Sequence, residues 1–117
     1  MKLIMVKEHH SPFPNPIRLK KGELVHIEEK ETEFKGWVWT ITKSGEQGWT
    51  PEQFLVKGRD GKTAVVKRDY DSCELSVSAG DILTVLQEIN EWYRACKENS
   101  ETGWVPVRKT VVLNNKK

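Results

Sequence analysis

The chain has 117 residues, enough for one ordinary domain or two very small ones, and this length argues against a multidomain enzyme. Hydrophobic residues make up 37% and charged residues 31%, which is typical of a folded, water-soluble chain. No apolar run approaches the roughly 18 residues of a membrane span, and the run at residues 3–6 is too short for a signal peptide. The composition therefore predicts a cytoplasmic protein without a membrane partner.

The net charge of +2 is unevenly placed. Residues 1–56 and residues 63–117 each balance eight cations with eight anions, so the excess lies in residues 57–62. A nucleic-acid binder normally has a basic face, because phosphate neutralisation supplies most of its affinity. Neutral halves therefore weaken the case for a nucleic-acid partner without excluding it.

The two cysteines, Cys73 and Cys96, belong to no CxxC motif and to no cysteine–histidine pattern. We expect free thiols, and neither a disulfide framework nor a zinc site. The sequence also contains no glycine-rich phosphate loop and no motif of an activated nucleophile. The prediction is a non-enzymatic protein with no cofactor and no metal.

An internal repeat sets the expected architecture. In each half a Gly-acid step is followed by a tryptophan, and a Gly-Trp-x-Pro motif comes later. Gly48 follows Trp37 by 11 residues, as Gly103 follows Trp92. Between the halves, residues 57–62 read Lys-Gly-Arg-Asp-Gly-Lys, which has the composition of a linker.

Each half is predicted to form strands and turns. Residues 23–28 and 81–86 alternate apolar and polar positions, and second strands follow at residues 37–42 and 92–96. Short strands at this spacing favour a small barrel in each half. We predict an all-β protein of two five-stranded barrels in tandem, at residues 1–57 and 63–117, joined by a linker at 58–62.

These motifs resemble the Src-homology-3 (SH3) domains. The family has a tight Gly-acid step before its second strand, a tryptophan at the head of its third strand, and a Gly-aromatic-aliphatic-Pro motif before a 3-10 turn. Both halves carry all three. The residues of these motifs are most similar to those of the tandem variant SH3 proteins of bacteria, which are described as ligand-binding.

The resemblance implies an aromatic groove for extended, proline-rich peptides. Such a peptide is already ordered as a polyproline II helix and needs aromatic walls with an indole N–H donor. Acidic side chains beside the groove select a basic ligand residue. By family position, the first half supplies Phe13, Trp37, Trp49, Pro51 and Phe54, with Glu31 and Glu33 as the acidic candidates. In place of the family's Tyr-Asp-Tyr it has Lys7-Glu8-His9.

The second half departs further from the family pattern. Its candidates by family position are Tyr70, Trp92 and Pro106, with Trp104 flanking the groove and Asp71 and Glu74 as acidic residues. Arg68 stands where the first tyrosine belongs, and Lys109 replaces the tyrosine after Pro106. The loop after Tyr70 is short, which removes part of the specificity wall.

Several of these residues also have a purely structural interpretation. Trp39 and Trp49 are as consistent with packing as with binding. The adjacent His9 and His10 lack a partner at ligand spacing, so we expect both to be solvated. His26 alternates with Val25 and Ile27 and should point outward.

The preferred hypothesis is a non-enzymatic protein-interaction module that binds extended or proline-rich peptides. One alternative is a small-barrel protein associated with nucleic acid or a ribonucleoprotein, suggested by the aromatic residues and the cationic linker. Another is binding of cell-wall peptide, which conflicts with the absence of a signal sequence. The sequence leaves the oligomeric state open.

Overall fold

The structure is a computed structural model that describes residues 2–10, 16–32 and 35–113. The described residues form strands and two 3-10 turns, Glu52–Phe54 and Val107–Lys109, with no α-helix among them. This confirms the predicted all-β class. The strands are β1 (Lys2–Val6), β2 (Arg18–Leu19), β3 (Leu24–Glu28), β4 (Trp37–Ile41), β5 (Gln47–Pro51), β6 (Leu55–Lys57), β7 (Thr63–Val66), β8 (Tyr70–Asp71), β9 (Ile82–Ile89), β10 (Trp92–Cys96), β11 (Thr102–Pro106) and β12 (Thr110–Val112).

The chain divides into two compact units. Unit 1 combines Met1–Pro14 with Cys73–Lys117, and unit 2 is the continuous segment Asn15–Ser72. Unit 1 contains a five-stranded sheet in the order β11-β10-β9-β1-β12. Unit 2 contains one in the order β5-β4-β3-β7-β6, together with the two-stranded sheet β2-β8. The two sheets have the same strand order, with β7 of unit 2 in the position that β1 has in unit 1.

The first strand of each repeat has therefore been exchanged. β1 opens the first repeat but pairs with β9 and β12 of the second, with Met5 opposite Ile82 and Val111. β7 opens the second repeat but pairs with β3 and β6 of the first, with Val65 opposite Leu24 and Val56. The predicted domains, residues 1–57 and 63–117, correspond to the repeat in sequence. The two compact units do not have these boundaries, because each contains strands from both halves.

Residues 58–62, interpreted from sequence as a linker, form the turn of the β6–β7 hairpin. The Asp60 carboxylate accepts hydrogen bonds from the backbone N–H groups of Lys62 and Thr63 and from the Thr63 hydroxyl. These hydrogen bonds, that of the Lys62 N–H first, hold the pKa of Asp60 below its usual value. Gly61 has a φ of +69°, a conformation that favours glycine. The turn directs β7 back along β6, which is why β7 joins unit 2.

Both exchanged strands present the same alternation to their sheets. Ile4 and Val6 of β1 are buried in the unit 1 core, with Leu83 and Val105 among their neighbours in that cluster. In β7, Ala64 and Val66 are buried in the same way, since each is 1% exposed. A strand that buries every second residue fits either sheet, because the side-chain period of a strand is two.

Candidate functional site

The outward face of the β4–β5 hairpin in unit 2 carries two of the predicted aromatic residues, Trp37 and Trp49, together with Trp39. Trp37 lies opposite Pro51 and Trp39 lies opposite Trp49 in the antiparallel register. Thr40 and Thr50 are fully buried on the other face of the hairpin. Because side chains alternate along a strand, the three tryptophans share the face that points away from the core. Pro51 lies opposite Trp37 but is fully buried, as is Pro106 in unit 1.

A second group of aromatic side chains lies next to this face. The rings of Phe54 and Tyr70 meet edge to face, with centroids 5.5 Å apart. The Tyr70 hydroxyl donates a hydrogen bond of 2.8 Å to the backbone carbonyl of Trp49. Tyr70 was assigned from sequence to the groove of the second half, and the structure places it in unit 2 because β7 is exchanged. Unit 2 thus combines aromatic residues from both repeats.

Exposure divides this aromatic set in two. Phe54 is 4% exposed and Tyr70 is 7% exposed, so these rings form a buried base. The guanidinium of Arg68 covers Phe54, at 4.6 Å from its ring centroid. Trp37 and Trp49 are partly exposed. The part of this aromatic set that a ligand can reach is therefore indole, since Phe54 and Tyr70 are buried.

The acidic candidates Glu31, from the first half, and Asp71, from the second, lie in different elements of unit 2. Glu31 is exposed in the loop that follows β3. Asp71 lies at the β2–β8 pair, where its Oδ2 is 3.4 Å from Nε of Arg18. Phe13 and Glu33 lie outside the described residues.

Unit 1 has the equivalent hairpin with different side chains. Trp92 lies opposite Pro106, and Arg94 lies opposite Trp104. Trp104 is only 3% exposed, and the Arg94 guanidinium lies 5.7 Å from its ring centroid. Arg94 in unit 1 thus occupies the position that Trp39 has in unit 2. Trp104, which flanks the expected groove, is buried.

A polar cluster replaces the aromatic base in unit 1. His9 Nε2 lies 2.9 Å from Oε1 of Glu74, and the Lys109 ammonium lies 3.2 Å from His9 Nδ1. An ammonium can only donate, so Nδ1 accepts and the Nε2–H donates to Glu74. The His9 ring also meets Trp92 edge to face at 6.1 Å. Four residues that are distant in sequence are thereby brought together.

Burial shifts the pKa values of both acid–base groups in this cluster. It raises the pKa of Glu74 to about 7, against an opposing effect of Lys109. It also lowers the pKa of His9, and the nearby charges, first Lys109 and then His10 and Arg108, lower it further. The prediction that His9 is solvated is wrong, since this residue is 7% exposed. A partner 65 positions away is invisible to an analysis of local spacing.

Other predictions concern single residues. His26 is exposed on β3, which confirms the predicted outward orientation. Cys73 and Cys96 are both partly buried, and no disulfide joins them.

Comparison with known protein families identifies both repeats. Residues 3–58 match the family model described as variant SH3 domain, and residues 67–107 match the model described as SH3 domain. The chain carries two SH3-type domains. The first match includes β1, which pairs in the sheet of unit 1, whereas the second match begins after β7. SH3 domains are non-catalytic modules that bind protein or peptide partners, and this chain is accordingly a protein-interaction module.

Two curated relatives are similar over most of the chain. The mouse and human proteins called SH3 and PX domain-containing protein 2B are each 28% identical over 120 aligned positions, which cover 88% of this chain. The chain spans only 13% of the mouse protein and 12% of the human protein. No solved structure matches the chain. Within the described ranges, no helix is long and apolar enough to cross a membrane.

Proposed function

We propose that unit 2 binds an extended, proline-rich peptide segment across Trp37 and Trp49. The observation that carries this proposal is the pair of partly exposed indoles on the outward face of the β4–β5 hairpin. The buried Tyr70, which packs on Phe54, is linked to this hairpin by its hydrogen bond to the Trp49 carbonyl. Flat indole faces fit the pyrrolidine rings of a polyproline II helix, and an indole N–H can donate to its free carbonyls.

Unit 1 offers a different surface at the equivalent place. Trp92 and Pro106 are retained, but His9 and Lys109 occupy the positions where unit 2 has Tyr70 and Phe54. A charged ammonium beside an imidazole does not provide the apolar wall that a proline ring needs. Proline-rich peptide is therefore proposed to bind unit 2 in preference to unit 1.

Three further features are proposed with this function. The chain is of the tandem variant SH3 type found in bacteria, and the residues of its SH3 motifs support this assignment. It works in the cytoplasm, which the low cysteine content of the sequence supports. It carries out no catalysis, which fits the interaction role of both domains.

The test is a 15N NMR titration with a proline-rich peptide that follows the indole signals of Trp37, Trp39, Trp49, Trp92 and Trp104. A saturable shift of Trp37 and Trp49, with Trp92 unmoved, is the expected result. Trp37→Ala should abolish binding while the other indole signals stay dispersed, and Trp92→Ala is the matched control that should leave affinity unchanged. Unaltered affinity in Trp37→Ala would refute the proposal. A response to RNA at low salt and none to peptide would favour the nucleic-acid alternative.

A further inference from the structure

The indole of Trp39 is held in a fixed position on the outward face of unit 2. Its Nε1–H donates a hydrogen bond of 2.9 Å to Oε1 of Gln47. Its ring also meets that of Trp49 edge to face, with centroids 5.1 Å apart and planes at 76°. One ring contact and one hydrogen bond fix the orientation of the indole before any ligand arrives, and such preorganisation reduces the entropy lost on binding.

The face of this indole already holds a cation. The Lys30 ammonium lies 3.6 Å from the centroid of the Trp39 ring. Glu28 lies directly opposite Trp39 in the β3–β4 register and is exposed, so a carboxylate borders the same place. Tryptophan is the best cation–π acceptor among the side chains. Trp39 and Glu28 together form a site suited to positive charge.

Unit 1 has a cation–indole contact at the equivalent position, but it differs in where the cation comes from and in how exposed the indole is. There the cation belongs to Arg94, a residue of β10 itself, and its partner Trp104 is 3% exposed. In unit 2 the cation comes from Lys30, an exposed residue in the loop after β3, and both tryptophans remain partly exposed. The Arg94 cation therefore covers an indole that is already buried, whereas the Lys30 ammonium covers an indole that a ligand can reach once the lysine side chain turns into solvent.

We propose that Trp39 is a second subsite of unit 2 that takes an arginine side chain of the bound peptide, and that Lys30 is an internal competitor for this subsite. The proposal rests on the proposed function of Trp37. Arginine is preferred over lysine because a planar, weakly hydrated guanidinium stacks on an aromatic face better than an ammonium does.

Strand geometry sets where the arginine lies in the ligand. Trp37 and Trp39 are two residues apart on one strand, which places them about 7 Å apart. A polyproline II helix advances about 3 Å per residue. The arginine is therefore expected about two residues from the proline that contacts Trp37.

The test compares two proline-rich peptides that differ only in arginine or its neutral isostere citrulline at that position. Wild-type protein should bind the arginine peptide about two- to fivefold more tightly than the citrulline peptide. Lys30→Ala should increase this ratio by about a further two- to fivefold, because the competitor is gone. Lys35→Ala removes the same charge from the same loop and should leave the ratio unchanged. Trp39→Leu should bring the ratio to about one while the Trp37 indole still shifts.

Two outcomes would overturn the inference. One is an arginine-to-citrulline ratio that is equal in wild type, Lys30→Ala and Trp39→Leu, with Trp37 still responding. The other is an equal effect of Lys30→Ala and Lys35→Ala, which would show a general charge effect.

If neither peptide binds, the function proposed for Trp37 fails and the subsite is judged separately. Acetyl-arginine amide and acetyl-citrulline amide are then titrated directly against the Trp39 indole signal. A larger response to the arginine amide in Lys30→Ala than in Lys35→Ala would support the subsite. Equal responses would reject it.

Discussion

His9 Nε2 lies 2.9 Å from Oε1 of Glu74, although 65 positions separate the two residues in the chain. His9 follows β1 and also forms a bridge with Val77, so both contacts tie the N-terminal segment to the second repeat. The side chains of His9 and Glu74 are 8% and 13% exposed. Such a buried acid–base pair makes the stability of unit 1 depend on pH.

Replacing Glu74 with glutamine should remove one part of that dependence. The folded pKa of Glu74 is about 7 and its ordinary value is 4.5, so the folded state holds the proton more tightly. The stability that this protonation contributes is complete below about pH 4.5 and is lost as the pH rises through about 7. Relative to Glu74→Gln, the free energy of unfolding of the wild type should fall by about 3 kcal/mol as the pH rises through that window.

Urea titrations at several pH values, read from the Trp92 indole signal, measure this difference for unit 1 alone. His9 has a lowered pKa, so its contribution is present at neutral pH and lost on acidification. Because His9 contacts Glu74, its effect does not cancel in this comparison, and the same pair of proteins is therefore also compared in a His9→Gln background. A difference that stays constant between about pH 5 and about pH 8 would contradict the expectation.

The continuous segment of unit 2 should fold without the rest of the chain. Residues 15–72 contain every strand of the β5-β4-β3-β7-β6 sheet and of the β2-β8 pair. A fragment of residues 1–57 lacks β7, which lies between β3 and β6. We expect a dispersed NMR spectrum and a cooperative urea transition from fragment 15–72, with marginal stability because so small a domain buries only about 60% of its surface.

The matched fragment 1–57 should be less stable than fragment 15–72. Equal stability would show that β1 can close its own repeat, and that the exchange is not required for folding.

Tyr70→Phe tests whether Tyr70 belongs to unit 2. The change removes the hydrogen bond from its hydroxyl to the Trp49 carbonyl and should cost about 1 kcal/mol. The loss should be seen in the unfolding of unit 2, followed through the Trp49 indole, and not through the Trp92 indole. Tyr93→Phe is the control, because that ring lies in the unit 1 core and should affect only unit 1.

Thr50→Val should stabilise the protein. Among the described residues, Thr50 Oγ1 is the buried side-chain atom with no hydrogen-bond partner. Valine has the same shape without the desolvated hydroxyl, so we expect a gain of about 1 kcal/mol in the free energy of unfolding.

Thr40→Val is the matched control for this prediction. Thr40 is equally buried, but its hydroxyl donates a hydrogen bond of 3.1 Å to the Val38 carbonyl. Its replacement should destabilise unit 2 by about 0.5 kcal/mol. Urea denaturation measures both variants, and an identical shift in the two would show that the unpaired hydroxyl of Thr50 carries no penalty.

Local patterns predicted four of the strands and the central tryptophans. The alternation at residues 23–28 and 81–86 corresponds to β3 and β9, and the tryptophan-led segments correspond to β4 and β10. These features depend on neighbouring residues and on a period of two, which a single sequence displays directly. The Asp60-Gly61 pair was a hairpin signal of the same kind that the linker interpretation overlooked.

The polar cluster of unit 1 and the placement of Tyr70 had no such signal. His9 meets Glu74 and Lys109, and Tyr70 meets Phe54 and the Trp49 carbonyl, only once the strands are paired. The sequence analysis assigned Tyr70 to the same groove as Trp92, because it assumed that each repeat in sequence folds as one compact unit.

The sequence by itself determined that this protein is two SH3-type repeats of short strands, with tryptophans at equivalent places. Only the tertiary structure decided which copy of the first strand enters which sheet. The physical reason is that β1 and β7 offer the same backbone donors and the same alternation of buried residues, with Ile4 and Val6 in one and Ala64 and Val66 in the other. Two such strands fit either sheet, and the tight turn at residues 58–62 assigns β7 to unit 2 and leaves the place in unit 1 to β1.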